Sequence, residues 1–393
     1  MRYKTLLLGV LLYSFNSFGQ GTLRGDYMMN VAFYDDDPRL GQFGTNTTQY
    51  KNEKSSAEAW LFLNYNIKGY DFNVRYDLFH NSPLLNPQEA FTAQGMPFFN
   101  MSKTFDNLSI TVGSFYDQFG SGILFRAYEN RVIGIDFAMQ GVKVEYNYKD
   151  KLRFKAFTGK QKNRFEAYPQ IVQGLNVEGG SFGRVSVNYG ASVVKRSLNF
   201  AQDLQNDLVP LINAMPLEDR FIPNCNVYGG QVYGSISIGN FTLNGDFAAK
   251  TREAVYDFNQ QLLNKEGMYG TVGLSYSGKG FGISVLGKYS DYFAMRTTPR
   301  TQLSTILTGS VSFLAPLNRQ NTYRLPARYS PAVQEIGEQG LQADLNYSIN
   351  RKNVFNLNYT YIQSPEIIDE TLFREIFFTY QKKFSTENSL EFG

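Results

Sequence analysis

Four charged residues, Arg126, Glu129, Arg131 and Asp136, lie close together in a stretch rich in glycine and aromatic residues. The stretch is too long to be a turn between two strands. Arginine presents a planar fork of donors that binds carboxylates well. Inside a barrel, such opposed charges could line a constriction and orient permeating solutes with a transverse field. Alternatively, they form salt bridges that only hold the loop in place, and the sequence leaves both interpretations open.

The best-defined structural element is residues 267–292, GMYGTVGLSYSGKGFGISVLGKYSDY. Both arms alternate with a period of two, which is typical of strands that have one apolar face. Ser-Gly-Lys-Gly between them suits a tight hairpin turn, because glycine adopts positive φ at little cost. Each arm is about long enough for a tilted strand to cross a bilayer. Residues 267–292 are therefore predicted to form a β-hairpin.

The same unit recurs along the chain. Besides the two arms, we predict strands at residues 23–34, 57–68, 70–80, 98–105, 108–116, 137–148, 152–161, 168–178, 182–195, 227–238, 241–252, 341–349, 354–363 and 372–383. Another strand begins at residue 389. We expect a chain that is incomplete at its C-terminus and an intact protein with 18 or more strands, because the usual barrel terminus is a complete strand that ends in an aromatic residue. A short, frayed last strand is the alternative.

Short connections alternate with long ones such as residues 81–97 and 197–226, and the latter contains a short helical pattern. Outer-membrane barrels have this asymmetry, with short periplasmic turns and long extracellular loops. The predicted fold class is thus all-β, an antiparallel transmembrane β-barrel of at least 16 strands. The rival is a secreted soluble domain.

The longest predicted loop, residues 293–339, is rich in arginine. Its candidates for an anion-attracting mouth, or for contact with lipopolysaccharide phosphates, are Arg296, Arg300, Arg319, Arg324 and Arg328. A solvated external loop is the alternative.

The N-terminus has the features of an export signal. Arg2 and Lys4 precede an apolar run at residues 5–15, and small residues suit cleavage before Gln20. Residues 1–19 are thus a predicted signal peptide, and residues 20–393 a single barrel domain in the outer membrane. Removing the two basic residues takes the net charge from +3 to +1, which argues against a nucleic-acid partner. Cys225 is the only cysteine, so no internal disulfide forms.

Enzymatic chemistry has little support in the sequence. His80 is the only histidine, so a serine hydrolase would have no second candidate base. No phosphate loop, dinucleotide fingerprint or zinc spacing occurs. The acidic run at residues 35–37 lacks the glycine and the final glutamate of a calcium loop. We therefore predict no enzyme activity, no catalytic residue, no metal site and no cofactor.

Residues 115–144 read FYDQFGSGILFRAYENRVIGIDFAMQGVKV. The Phe-Gly-Ser-Gly, Arg-Ala-Tyr-Glu and Gly-Ile-Asp elements of this stretch resemble a family of outer-membrane β-barrel proteins from Bacteroidetes-type bacteria, classed as a domain of unknown function. The resemblance implies an outer-membrane location. It implies no activity and transfers no catalytic residue.

The predicted function is a porin-like channel or transporter for small solutes, because the rows that face the lumen are polar. The alternative is a structural or partner-binding barrel, such as a subunit of an outer-membrane export or assembly complex. Expected partners are outer-membrane lipid and lipopolysaccharide, with outer-membrane proteins added in the second case.

Overall fold

The computed structural model of the protein describes residues 21–34, 53–85, 89–131, 134–257, 261–298, 309–319, 336–365, 371–384 and 389–392. The predicted signal peptide, the acidic run at residues 35–37, Arg300, Arg324 and Arg328 lie outside these residues.

Strands account for most of the described chain. They are β1 Thr22–Phe33, β2 Ser55–Ile67, β3 Tyr70–Leu85, β4 Glu89–Phe105, β5 Leu108–Phe115, β6 Asp117–Gln118, β7 Arg126–Ala127, β8 Glu129–Asn130, β9 Ile135–Asp136, β10 Met139–Tyr148, β11 Leu152–Asn163, β12 Glu166–Ala167, β13 Ile171–Ser181, β14 Val185–Ser197, β15 Asn226–Ile238, β16 Phe241–Tyr256, β17 Leu262–Gly278, β18 Phe281–Asp291, β19 Gly337–Asn350, β20 Asn353–Gln363, β21 Thr371–Lys383 and β22 Ser389–Phe392.

One antiparallel sheet of 18 strands forms the wall of the barrel. The two-residue strand β12 pairs only with the end of β11, so 17 of the 18 run side by side from β1 to β22. Each of the 17 pairs with its neighbour in chain order, with β5 joined to β10 and β11 to β13. The prediction of 16 strands and the start of another is confirmed. A count of 18 or more in an intact protein stays a prediction.

The hairpin predicted at residues 267–292 is formed by β17 and β18, with Gly278 opposite Phe281. The register separates an outer row that contains Val272 and Leu274 from an inner row that contains Thr271 and Ser275. The two outer side chains are 63% and 52% exposed. Comparable exposed apolar residues occur along the other strands, so the wall has an apolar outer surface.

Polar side chains cover much of the inner surface of the wall. Asn64 on β2 donates to the Oδ1 of Asn73 on β3 at 2.8 Å, and Asn73 donates to the Oδ1 of Asn100 on β4 at 2.9 Å. Near the other edge of the sheet, Asn358 on β20 donates to Asp344 on β19 at 2.6 Å. These cross-strand bonds satisfy polar groups that would be costly to bury without partners.

The prediction of a loop at residues 81–97 is wrong, because β3 continues to Leu85 and β4 begins at Glu89. The register of this pair shifts between Phe79 and Ser82, and Pro97 lies where two β4 residues oppose one of β3. Such bulges interrupt the alternation by which a strand is recognised, and they accommodate proline. Because the strands are longer than predicted, only residues 86–88 connect β3 to β4, and only residues 257–261 connect β16 to β17.

The turn predicted at Gly179-Gly180 also lies elsewhere. Both glycines belong to β13, where they pair with Tyr189 and Asn188 of β14. The turn follows Ser181. A Cβ at Gly180 would come within 2.6 Å of the Asn188 side chain, so close strand contact explains this glycine better than a turn does.

Residues 117–131 and 134–138, here called the inner segment, lie inside the barrel. Ser121 donates a hydrogen bond to Asp246 on β16, and the Nη1 of Arg131 lies 3.6 Å from the Sδ of Met28 on β1. Contacts with β1 and β16 by one short segment require the sheet to curve around it.

A buried apolar cluster fixes the inner segment against one half of the wall. Its large members from the inner segment, the wall and the chain after β18 are Phe115, Phe119, Ile123, Leu124, Phe125, Met139, Phe157, Val172, Val194, Val227, Tyr269, Phe293, Met295 and Val311. The rings of Phe125 and Phe157 stack with centroids 4.2 Å apart. This cluster fills the lumen beside β11–β17.

The helical pattern predicted between residues 197 and 226 corresponds to a π-helix, Phe200–Leu208, which continues into an α-helix, α1, Val209–Ala214. A 3-10 turn follows at Leu217–Asp219. The apolar side of these helices packs on Ala254 and Leu262 at the long-connection end of the wall. None of the helices in the described ranges has the length and hydropathy that a membrane span requires.

Candidate functional site

Arg75, on the inner face of β3, is the centre of a charged network. Its guanidinium binds both carboxylate oxygens of Asp77, with Nε–Oδ1 at 2.7 Å and Nη2–Oδ2 at 2.9 Å. Its remaining donors reach the inner segment, at 2.8 Å from Nη1 to Glu129 Oε1 and 2.5 Å from Nη2 to Asp136 Oδ2. Nη1 also lies 3.2 Å from the hydroxyl of Tyr116. Arg75 therefore connects the wall to the inner segment.

The backbone of the inner segment brings its two carboxylates together. Strands β8 and β9 form a small hairpin in which Glu129 lies opposite Asp136. The chain turns back at Gly134, whose φ of +69° favours glycine. A Cβ there would also overlap the side chain of Leu84 on the wall. The glycine thus serves both the turn and the close approach to the wall.

Asp136 has partners on three sides. It accepts hydrogen bonds from Arg75, from Lys162 on β11 and, at 2.9 Å, from the hydroxyl of Tyr116. Burial opposes its ionisation, but the charges of Lys162 and Arg75 outweigh burial and lower the pKa of the carboxyl group below its usual value. Burial, with the nearby Asp136 charge, raises the pKa of Tyr116, so its hydroxyl stays protonated.

Arg131 completes the network on the side of β2. Its Nε and Nη2 each lie 3.0 Å from one oxygen of Glu129. Its guanidinium also stacks 4.5 Å from the ring centroid of Phe62 and 5.5 Å from that of Trp60. The central network is defined as Arg75, Asp77, Tyr116, Glu129, Arg131, Asp136 and Lys162. Its three cations balance its three carboxylates.

Water reaches the two sides of the central network unequally. The Arg75 and Asp77 side chains on the wall are each 3% exposed. On the inner segment, Glu129 is 16%, Arg131 27% and Asp136 17% exposed. The buried members hold the inner segment in place, whereas the exposed members present charge to the lumen.

The structure thus brings together three of the four predicted constriction residues. The prediction that Arg126 belongs with them is wrong. Its guanidinium stacks between the rings of Tyr128 and Phe313, with centroid distances of 4.5 and 4.1 Å. Its backbone N–H bonds to the carbonyl of Val311 at 2.9 Å. Arg126 therefore anchors the inner segment to the chain after β18 and does not join the carboxylates.

At Arg296 the loop after β18 does not fit the alternative interpretation of a solvated external loop, and an anion-attracting role for its arginines stays a prediction. Arg296 is 5% exposed, and its backbone forms an isolated antiparallel β-bridge with that of Ser310 next to the apolar cluster. Arg319 stacks 4.5 Å from the ring centroid of Phe377 on β21. Met295 and Val311, neighbours of this bridge, are buried among aromatic side chains, which explains why this part of the loop folds inward.

Two further ion groups are buried in the wall. Glu253 on β16 accepts hydrogen bonds from Arg196 on β14 and from Lys250. Lys288 on β18 binds Glu338 on β19 and also the carbonyl of Ala315 at 2.7 Å.

Sequence reasoning missed all of these wall residues, as well as Arg75, Asp77, Tyr116 and Lys162. Arg75 and Asp77 read as ordinary members of the polar row of a strand. The usable signal was their placement: two opposite charges two residues apart, which share one face of a strand.

His80, the lone histidine, is exposed on β3, and its Nε2 lies 3.4 Å from the Nδ2 of Asn81. No group of three or more His, Cys, Asp or Glu side chains that could hold a metal ion occurs in the described part of the chain.

Solved outer-membrane proteins resemble the chain weakly. OprB of Pseudomonas putida is 14% identical, with 91% of this chain and 92% of that chain covered and a TM-score of 0.41. OccK8 (OprE) of Pseudomonas aeruginosa is 10% identical, with coverage of 92% and 86% and a TM-score of 0.47. The channel DcaP of Acinetobacter baumannii is 10% identical, with coverage of 92% and 95% and a TM-score of 0.36. Likeness at this level transfers no activity.

No curated protein matches the sequence. One family model, described as a family of unknown function (DUF6029), matches residues 1–392. Since the match spans nearly all of the chain, the protein belongs to this family.

Proposed function

We propose that the protein is a porin-like outer-membrane channel for small solutes, constricted by the inner segment. The observation that carries the proposal is the unequal exposure of the central network. Arg75 is buried in the wall, whereas Glu129 and Arg131 keep part of their surface open to the lumen. Opposite charges fixed side by side at a narrow point orient dipolar solutes and select ions. We assign no enzymatic step to the protein.

The outer surface supports the proposed location. Val272, Leu175 and Val232, on three different strands, are 63%, 63% and 57% exposed. Such an apolar surface would contact the acyl chains of membrane lipid and of lipopolysaccharide. The short turns would face the periplasm and the long connections the exterior, with residues 1–19 acting as the export signal.

Solute uptake by proteoliposomes tests the proposal. We expect vesicles that contain the folded protein to swell in isotonic solutions of a small neutral solute and to exclude solutes above a size limit. Folding would be checked by heat-modifiable migration in gels. A folded protein that leaves the vesicles impermeable would overturn the channel proposal.

A structural or partner-binding barrel is the second candidate, and the apolar cluster favours it. Phe119 and Leu124 are fully buried, and Phe125 is 1% exposed. Packing this dense leaves no passage between the inner segment and the wall at the level of the cluster. The hypothesis of a structural or partner-binding barrel predicts that the vesicles stay impermeable and that the protein co-purifies stably with another outer-membrane protein.

A further inference from the structure

We propose that the lumen contains a binding niche for a neutral, hydroxyl-rich solute of the saccharide type, below the inner segment. The proposal rests on the proposed channel function and adds the solute class. The niche is a cavity of about 450 Å³ at the short-turn end of the barrel. Its polar lining from the inner face of the wall is Asn147, Arg153, Glu178, Asn188 and Tyr233. Cavities of this size hold small organic ligands.

Tyr233 is held rigidly at the top of the niche. A Cβ at Gly190 of the wall, or at Gly120 of the inner segment, would overlap its ring. Glycine at both positions lets the ring lie flat between wall and inner segment. Its hydroxyl is then 3.0 Å from Asn176 Oδ1 and 3.1 Å from Glu178 Oε2. The ring of Tyr233 therefore lines the niche and also packs against Gly120 of the inner segment.

The other polar groups continue this chain of contacts around the wall. Arg153 Nη1 lies 3.5 Å from Glu178 Oε1, and its Nε donates to Asn147 Oδ1 at 3.2 Å. Asn188 donates to the hydroxyl of Ser235 at 3.4 Å. Side chains that hold one another in place are preorganised for a ligand, which lowers the entropy lost on binding.

The charges of the niche identify the solute class. Arg153 and Glu178 are 50% and 27% exposed, so both keep hydrogen-bonding capacity beyond their mutual contact. Their charges cancel, and so do those of Asp150 and Lys151, the two residues of the adjacent Lys149-Asp150-Lys151 turn that line the niche. A charged solute would find no uncompensated partner. Adjacent hydroxyl groups, which both donate and accept, match the alternating carboxylate, amide and guanidinium groups.

Calorimetric titration of the detergent-solubilised, folded protein tests the niche without relying on transport. The probes are glucose and maltose, compared with glucosamine and glucuronate of similar size. We expect saturable binding of a neutral sugar that exceeds binding of both charged sugars. Glu178→Gln and Tyr233→Phe should each weaken that binding about tenfold, because each removes part of the hydrogen-bonded wall.

Asp344→Asn is the matched control. Asp344 is an inner-face carboxylate on β19 that does not line the niche. It accepts a hydrogen bond from Asn358 on the neighbouring strand β20. The Asp344→Asn substitution should therefore leave the affinity for sugar unchanged. Three results would each overturn the niche: no saturable binding of a neutral sugar, a preference for a charged sugar, or a sugar affinity in Glu178→Gln and Tyr233→Phe that equals that of the natural protein. Sugar binding by a protein that leaves vesicles impermeable would retain the niche and refute the channel.

Discussion

Arg75 and Asp136 lie 61 residues apart in the chain, yet the Nη2 of Arg75 is 2.5 Å from the Oδ2 of Asp136. Arg75 belongs to a strand of the wall and Asp136 to the segment inside the barrel. Because Arg75 is also held by Asp77, the contact fixes the inner segment to a rigid part of the sheet. The position of the inner segment, and hence the width of any path past it, depends on this contact.

Replacing Arg75 should loosen the inner segment. In Arg75→Met, the carboxylates of Asp77, Glu129 and Asp136 lose their shared partner while they stay largely buried. Removal of one member of a buried ion group costs about 3–5 kcal/mol. We expect a loss of this order in the free energy of unfolding, measured by urea titration of the protein in detergent micelles or vesicles.

Arg252→Met is the control for this substitution. The Nε of Arg252 is 3.9 Å from Glu266, and both side chains are exposed, so its loss should cost at most about 1 kcal/mol. Equal effects of the two substitutions would contradict the anchoring role of Arg75.

The stability of the protein should depend on the ionisation of Asp136. Its pKa is lower in the folded protein than the usual 3.8, so its contribution is complete above that value and is lost as the pH falls through the lower folded value. We expect Asp136→Asn to be less stable than the natural protein at about pH 6. The difference should shrink as the pH falls below the usual pKa of 3.8. Unfolding midpoints over this range measure it, and a difference independent of pH would contradict the role of the charge.

The two faces of one strand should respond differently to a charge. Val272 is 63% exposed on the outer face of β17, and its neighbour Thr271 is on the inner face. An arginine on a lipid-facing surface costs about 2–4 kcal/mol near the middle of the bilayer. Val272→Arg should therefore fold into phospholipid vesicles much less efficiently than Thr271→Arg. Equal folding yields on heat-modifiable gels would argue against a membrane-embedded belt.

Substitutions of the buried pair Lys288 and Glu338 should have non-additive effects on the free energy of unfolding. Lys288→Met or Glu338→Met alone leaves one buried charge without its main partner, at a cost of about 3–5 kcal/mol. Changing both to methionine removes both charges and should cost much less than the sum of the single changes. A double-mutant cycle on the free energy of unfolding checks this, and additivity would mean that the pair contributes no coupling.

Local patterns predicted the wall well. The period of two in β17 and β18 and the glycines of their turn identified the hairpin, because both signals are contained in consecutive residues. The bulges of β3 and β4 broke the alternation, so residues 81–97, which hold the end of β3 and the first half of β4, were predicted to be a loop. Failure occurred where the backbone departs from regular geometry, which is also where the wall carries Arg75.

The site was only partly predictable, because it depends on contacts distant in sequence. The charges of Glu129, Arg131 and Asp136 and the surrounding glycines indicated a lumenal network, and three of the four predicted side chains meet there. Nothing local distinguishes Arg126, which stacks on Phe313, from Arg131, which binds Glu129. The choice of partner follows from where the strands bring each residue.

Single-channel conductance of the protein in planar bilayers, measured beside Glu129→Gln and Arg131→Gln, tests directly whether the central network constricts an open channel. Both residues keep lumen-exposed surface, and we expect a steady open conductance. Ion selectivity should shift toward anions in Glu129→Gln and toward cations in Arg131→Gln. A folded protein with no conductance, or an open channel whose selectivity is the same in both variants, would contradict a constriction at this network.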